Sequence, residues 1–386
     1  MEWYIGTFFI TWFCLFLAEK TSAKKIAYFL VPIAILIPCL LAGLRARNIG
    51  TDVRVYAEPI YTAAKNSDSF GEYLNFKFYQ SWKYVYVKEF EIGFTSVVYL
   101  VTKLFGQFSA VLTAIELLII VPLYAGLRRL KKSYSYSISF GVLTFLLMNY
   151  NVTLNMMRQW IAISIIIYGF SYLIENKKRE YVWCIVIAFL FHTSAIMGLL
   201  ILLIYNYTVN QNTHDNFRFR IGSHIITHDV ESLIVVFFAG CIVMLSLSVI
   251  LKILSVIGLS KYLIYIRGQI SFLPNQMILR MPLFVIFTCC YKNWKEKDKN
   301  VPFFYAMLIL DFLTSQLASI TENSGRISTY FSAYCIVSLA SITETYGEGS
   351  YKRILIKAML VIYLLIYWYY YFVVKGIHAT VPFVFA

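Results

Sequence analysis

The sequence is short of charge, and above all of acid. Charged residues make up 14% of its 386 positions, with 20 Asp and Glu against 34 Lys and Arg. Proline is scarce at eight residues and histidine at five. No Pro/Ser-rich linker divides the chain and no internal repeat is visible, so a single domain over 1–386 is expected. There is no P-loop, GxSxG, HExxH or DxD, which argues against ATP or a nucleotide-sugar donor. The seven cysteines include an adjacent Cys289-Cys290 pair but no CxxC, and most lie inside apolar runs. They read as small buried hydrophobes. The first apolar run, Trp3 to Leu17, lacks a basic leader and a small-residue cleavage site, so it reads as a retained helix.

What the chain has in quantity is apolar surface. It is 60% hydrophobic with a mean hydropathy of +0.68, more than a soluble domain carries. A membrane helix needs about 20 mostly apolar residues. Continuous runs rather than short alternating ones exclude a barrel. The fold class is therefore an all-α polytopic membrane protein. Aromatics reach 18%, with 31 Tyr and 31 Phe. Interfacial belts account for part of this and sugar-stacking surfaces would account for the rest; composition does not separate the two. Apolar segments fall at 3–18, 26–44, 108–127, 134–149, 156–174, 181–205, 233–251, 277–291, 302–320, 327–342 and 354–374. With half-helices, this gives about 11–12 membrane segments.

Five short loops are basic: Lys20/Lys24/Lys25, Arg128/Arg129/Lys131/Lys132, Lys177/Lys178/Arg179, Lys292/Lys295/Lys297/Lys299 and Lys352/Arg353/Lys357. The positive-inside rule puts all five in the cytoplasm. They hold much of the +14 net charge, which is therefore no sign of nucleic acid. The stretches 45–107, 150–155, 321–326 and both termini then lie outside. Residues 45–107 are too polar to span and are expected to hold interfacial helices near Trp82, Tyr84, Tyr86 and Phe90. One crossing is missing between 180 and 292. The economical solution splits 181–205 at Phe191-His192-Thr193-Ser194, giving two half-helices with His192 at the tip. The rival makes 262–273 a short crossing. The split leaves 206–232 cytoplasmic and 252–276 external.

The two faces use different cations. The cytoplasmic loops carry 13 Lys and 4 Arg, while the outer side carries Arg45, Arg47, Arg54, Arg158, Arg267, Arg280 and Arg326. Arginine differs from lysine by its rigid bidentate fork, which matches phosphate. Outer arginines point to a diphosphate-bearing ligand; the alternative is snorkelling anchors at helix ends. Arg326 has Glu322 one turn earlier as a possible partner. Asn151, Asn155 and Arg158 are spaced to share one helical face. Asp52, Glu91 and His192 are the candidate general bases. His214, His224 and His228 with Asp215 and Asp229 superficially resemble a metal site, but a solvated cytoplasmic loop explains them; no metal or other cofactor is expected.

With these residues in view, the sequence resembles the EpsG-like group of bacterial polysaccharide polymerases, the Wzy O-antigen polymerases in the wider sense. The motifs are Gly43-Leu44-Arg45…Gly50-Thr51-Asp52…Tyr56, Glu91-Ile92-Gly93-Phe94, Met157-Arg158-Gln159-Trp160-Ile161-Ala162, Phe191-His192-Thr193-Ser194-Ala195 and Arg326…Tyr330. They span residues 43 to 330. The pair Arg45 and Arg47, and Val53-Arg54 after Gly-Thr-Asp, depart from the pattern. The resemblance implies a GT-C-like, metal-independent, inverting glycosyltransferase at the outer face of the bacterial plasma (inner) membrane. Donor and acceptor would be undecaprenyl-diphosphate-linked oligosaccharides, with membrane lipid, a chain-length regulator and a flippase as partners. By that resemblance Arg45, Arg47, Arg158 and Arg326 would bind diphosphate. Glu91, His192 and Asp52 would serve catalysis, with Asp52 orienting arginines. Tyr56, Gln159 and Arg280 would meet glycan.

Two other classes compete. A lipid-linked-oligosaccharide flippase should carry functional charge through the helices and show a two-fold repeat. A membrane O-acyltransferase would use His192 but leave the outer arginines unexplained.

Overall fold

The computed structural model describes residues 1–80, 82–209, 220–221, 224–225, 228–256 and 271–386; side chains at 220, 221, 224, 225, 247–256, 322 and 323 are not described. His214, Asp215 and Arg267 lie outside the described residues, as does most of the rival crossing at 262–273. The protein is an all-α polytopic membrane protein, with sheet confined to two short hairpins among the described residues. Six described helices are long and apolar enough to cross a membrane. The chain forms two compact units, Met1–Gly198 with Lys357–Ala386, and Leu199–Ile356.

The first unit begins with α1 (Glu2–Lys20) and α2 (Lys24–Gly43), a tight hairpin over Thr21-Ser22-Ala23. The polar stretch that follows holds α3 (Glu58–Asn66), α4 (Phe70–Asn75), a hairpin of β1 (Lys77–Gln80) with β2 (Lys83–Tyr86), and α5 (Ile92–Phe105). The hairpin stands where helices were expected. Its period-two burial, with Phe78 and Val85 inside and Tyr79 and Tyr84 outside, is a strand pattern. Then come α6 (Phe108–Ser133), α7 (Ile138–Met148), the short α8 (Tyr150–Thr153), α9 (Met157–Ile174) and α10 (Lys178–Phe189). Small residues let these helices meet: a Cβ at Gly126 of α6 would lie 3.0 Å from the Tyr168 backbone of α9.

This unit has two chemically different ends. At one, Lys131 of α6 pairs with Glu19 of α1 at 2.7 Å, and Arg129 holds Glu175 beyond α9 at 2.9 Å. At the other, Gly43 at the end of α2 meets Thr113 near the start of α6, and Gly50 meets Leu154. With 26 residues, α6 separates the ends by about 39 Å. Glu91 and Gly106, which flank α5, both lie at the second end, beside α9 and α3 respectively. So α5 runs along that end, although it is apolar.

The long run 181–205 does break where the sequence placed the break. α10 stops at Phe189, a 3-10 turn occupies Thr193–Ile196, and α11 (Met197–Val209) follows. The run before Arg158 is broken too. Met156 leaves helical geometry (φ −95°, ψ 49°), so Asn151, Asn155 and Arg158 do not share one helical face.

The second unit contains α12 (His228–Val256), α13 (Pro274–Lys297), α14 (Val301–Ser315), α15 (Glu322–Gly325), α16 (Ser328–Ser332), α17 (Cys335–Ile342) and the start of α18 (Tyr351–Trp368). The turn from α13 to α14 is tied down. Trp294 donates its indole N–H to Ser341, whose hydroxyl donates to Asp298 at 2.6 Å. Lys295 pairs with Asp229 at the start of α12. At the far end of α13, the Leu273 N–H donates to Gln316 Oε1 at 2.7 Å.

Candidate functional site

The candidate site is assembled at the second end of the first unit, from four segments far apart in sequence. Arg158 is the first-turn cation of α9, at an end where a macrodipole disfavours it. What holds it is a carboxylate and two rings. Its Nη1 donates to Glu91 Oε2, and its guanidinium lies 4.5 Å from the Tyr56 ring centroid and 5.0 Å from that of Phe90. Its Nε has no hydrogen-bond partner. The side chain is 20% exposed, so it is oriented yet reachable.

Glu91 precedes α5 and joins two elements. One oxygen binds Arg158; the other accepts from the Thr193 N–H at 3.3 Å, at the break after α10. Gly93 makes this approach possible. Its N–H donates to the Leu190 carbonyl at 2.8 Å, and any Cβ there would lie 2.6 Å from that oxygen. Burial raises the Glu91 carboxyl, but the Arg158 charge and then a backbone hydrogen bond outweigh it and hold the group below its ordinary value. His192 Nδ1 accepts the Ser194 N–H at 3.2 Å and sits 2.5 Å from the Ser194 hydroxyl. With Nδ1 accepting, the neutral ring carries its proton on Nε2.

The Gly50-Thr51-Asp52 turn is fixed by Asn155. Gly50 has φ +82° and a Cβ there would lie 2.3 Å from the Leu154 carbonyl, so only glycine fits. Asn155 Oδ1 accepts from the Thr51 hydroxyl at 2.8 Å and the Asp52 N–H at 3.1 Å. The next five residues form a π-turn (Val53–Ala57) that delivers Tyr56 to Arg158. Burial and the neighbouring Asp52 carboxylate push the Tyr56 hydroxyl well above its usual range. Asp52 thus faces a tyrosine.

Arg45 has a different environment. It is 2% exposed, and its Nη1 and Nη2 donate to the Ala42 and Leu154 carbonyls at 2.8 and 3.3 Å. Buried Glu116 of α6, held by Thr153 at 2.9 Å, is its electrostatic partner. The C-terminal tail closes over this point: Ala46 N–H donates to Val384 O at 2.8 Å, and Ala386 N–H to Leu44 O at 3.0 Å. Arg47 is exposed and pairs with Glu58. Gln159 is buried beside Arg158. Arg280 and Arg326 belong to the second unit. Arg280 is clamped by Asp311 through Nε and Nη2 at 2.6 and 2.8 Å, with Nη1 on Gln276 Oε1 at 2.7 Å. Arg326 is half-buried between α15 and α16.

The model of the EpsG family matches residues 28–385. The chain belongs to the EpsG family. No curated protein and no solved structure matches it. Membership of the EpsG family supports a polysaccharide-polymerase-like function in general, in keeping with the apolar helices. Within this EpsG-family chain, sequence reasoning missed Phe90, Glu116, Asp311 and His378. The last has its Nδ1 3.0 Å from Asn155 Nδ2 and adopts φ +69°, a left-handed position rare outside glycine. Glu116 and Asp311 were legible as lone acids inside apolar runs. Phe90 and His378 carried no local signal.

Proposed function

We propose that this chain is a surface-polysaccharide polymerase acting at the non-cytoplasmic face of the membrane. It transfers a growing glycan from undecaprenyl diphosphate to the non-reducing end of a lipid-linked repeat unit. The observation that carries this reading is the convergence of 50–56, 91–94, 157–159 and 191–194 on Arg158, a reachable arginine opposite the basic end.

The residues fit a displacement in which a diphosphate leaves. The leaving group is already good, and a cation placed where its charge develops in a water-poor site lowers the barrier further. Arg158 has that place, with Tyr56 and Phe90 fixing its plane. Glu91, ionised and engaged, holds Arg158 and the break at Thr193 together. Asp52, beside the Tyr56 hydroxyl, is the carboxylate placed to take the acceptor's proton. His192, with its Nε2 proton, would donate to a phosphate or sugar oxygen. Arg45 would shape the site without touching the ligand.

The test is the surface glycan of cells lacking the gene. Restoring the intact gene returns a ladder of lengths; restoring Arg158→Ala leaves single-repeat material. Loss of even single-repeat material would point to a flippase instead. A normal ladder that differs only in acyl content would point to an acyltransferase.

A further inference from the structure

At the basic end of the first unit, a groove of about 410 Å³ opens between α1, α2 and α6. Its floor is apolar, from Leu15, Ala27, Val31 and Pro32, and its rim carries Lys24 and Arg128. Glu19 also lines it, but that carboxylate is fully engaged. It pairs with Lys131 at 2.7 Å and accepts the N–H groups of Ile138 and Ser139 at 2.9 and 2.8 Å. Lys24 and Arg128 are exposed and have no acidic partner among the described residues. Two unneutralised cations therefore sit above an apolar slot. Tyr28 also lines the slot, and the surface beside it, Ile26 and Phe29, is 51% and 71% exposed, as a lipid-facing wall would be.

We propose that this groove holds one anionic glycerophospholipid, with its phosphate between Lys24 and Arg128 and an acyl chain along Val31 and Pro32. The charge selects the occupant. A cation near the membrane surface favours an anionic lipid, about fivefold for each Lys or Arg. A zwitterionic headgroup would bring its own ammonium against the same rim. Positive-inside topology asks only for basic residues at this end. It does not ask for an apolar slot beneath two of them, with the nearest acid already neutralised.

The test uses the full-length protein in mild detergent, with phosphatidylglycerol or phosphatidylcholine added and retention read by native mass spectrometry. Phosphatidylglycerol is expected to stay bound under conditions that strip phosphatidylcholine. Lys24→Ala with Arg128→Ala should lower its retention more than tenfold, about fivefold per cation. Lys25→Ala with Lys132→Ala, an equal charge loss outside the groove, should not. Val31→Trp fills the slot while leaving both cations, and should also release the lipid. Equal retention of the two lipids would overturn the proposal. So would equal loss in the two double variants, or full retention in Val31→Trp. Preferential displacement by a polyprenyl phosphate would overturn the assigned occupant.

Discussion

Arg158 and Arg280 are both arginines near a helix start, each paired with a carboxylate, yet their side chains are used in opposite ways. Arg280 spends its whole fork inside the protein: Asp311 takes Nε and Nη2, and Gln276 takes Nη1. Arg158 binds Glu91 through one nitrogen, leaves Nε without a partner and lies against two neighbouring rings. On the function proposed above, the difference separates a structural ion pair from a poised one. A guanidinium whose donors are all satisfied holds helices together; one that is oriented but not satisfied can receive an anion.

The largest effect should come from Arg158→Ala, which removes the charge the ring pair positions. Polymer made in cells should fall at least a hundredfold, with protein level in the membrane unchanged. The comparison is sharpened by breaking the other pair. Asp311→Ala leaves Arg280 buried without its carboxylate and should cost about 3–5 kcal/mol, read as a large loss of thermal stability in detergent. Replacing both, with Arg280→Met and Asp311→Leu, should return most of that stability. The same double replacement at Arg158 and Glu91 should not return activity.

Much of this contrast was legible in the sequence, for physical reasons. Continuous apolar runs between Lys clusters locate α2, α6 and α9. A cation at the head of such a run is costly unless it is used, which singles out Arg158. The break at His192 was visible as a polar interruption and a parity defect. The split of the arginines was not visible, because it depends on partners. Arg45 meets backbone carbonyls and Glu116 through tertiary packing, and Arg47 meets Glu58 on the next helix. Phe90 is one of 31 phenylalanines until the hairpin 77–86 turns it onto Arg158. His378 reaches Asn155 only because the C-terminal tail folds back over the bundle end.

Intermediate effects probe the clamp itself. Glu91→Gln keeps the shape but loses the ion pair, and polymer yield should fall about tenfold, with shorter chains on the gel. Because Glu91 sits below its ordinary range, its pairing is complete above about pH 4.3 and is lost only as pH falls through the lowered value. Activity lost between pH 8 and 6 should therefore be the same in Glu91→Gln and in the intact protein; a profile that flattened in the variant would make Glu91 the titrating group. The smallest effect is expected at Arg47. Its pair with Glu58 is 63% exposed on the arginine side, and such pairs contribute about 0–1 kcal/mol. Arg47→Ala should leave melting temperature and ladder length close to normal.

The most direct measurement is elongation by the purified full-length protein on lipid-linked repeat units, comparing the intact chain with Arg158→Lys. Lysine keeps the charge and loses the planar fork that lies against Tyr56 and Phe90. A fall in kcat of about a hundredfold, with KM little changed, is the expected result, because a positioned donor is lost where charge develops. Normal rate and normal chain length with Arg158→Lys would contradict a poised, fork-shaped arginine at the centre of this site.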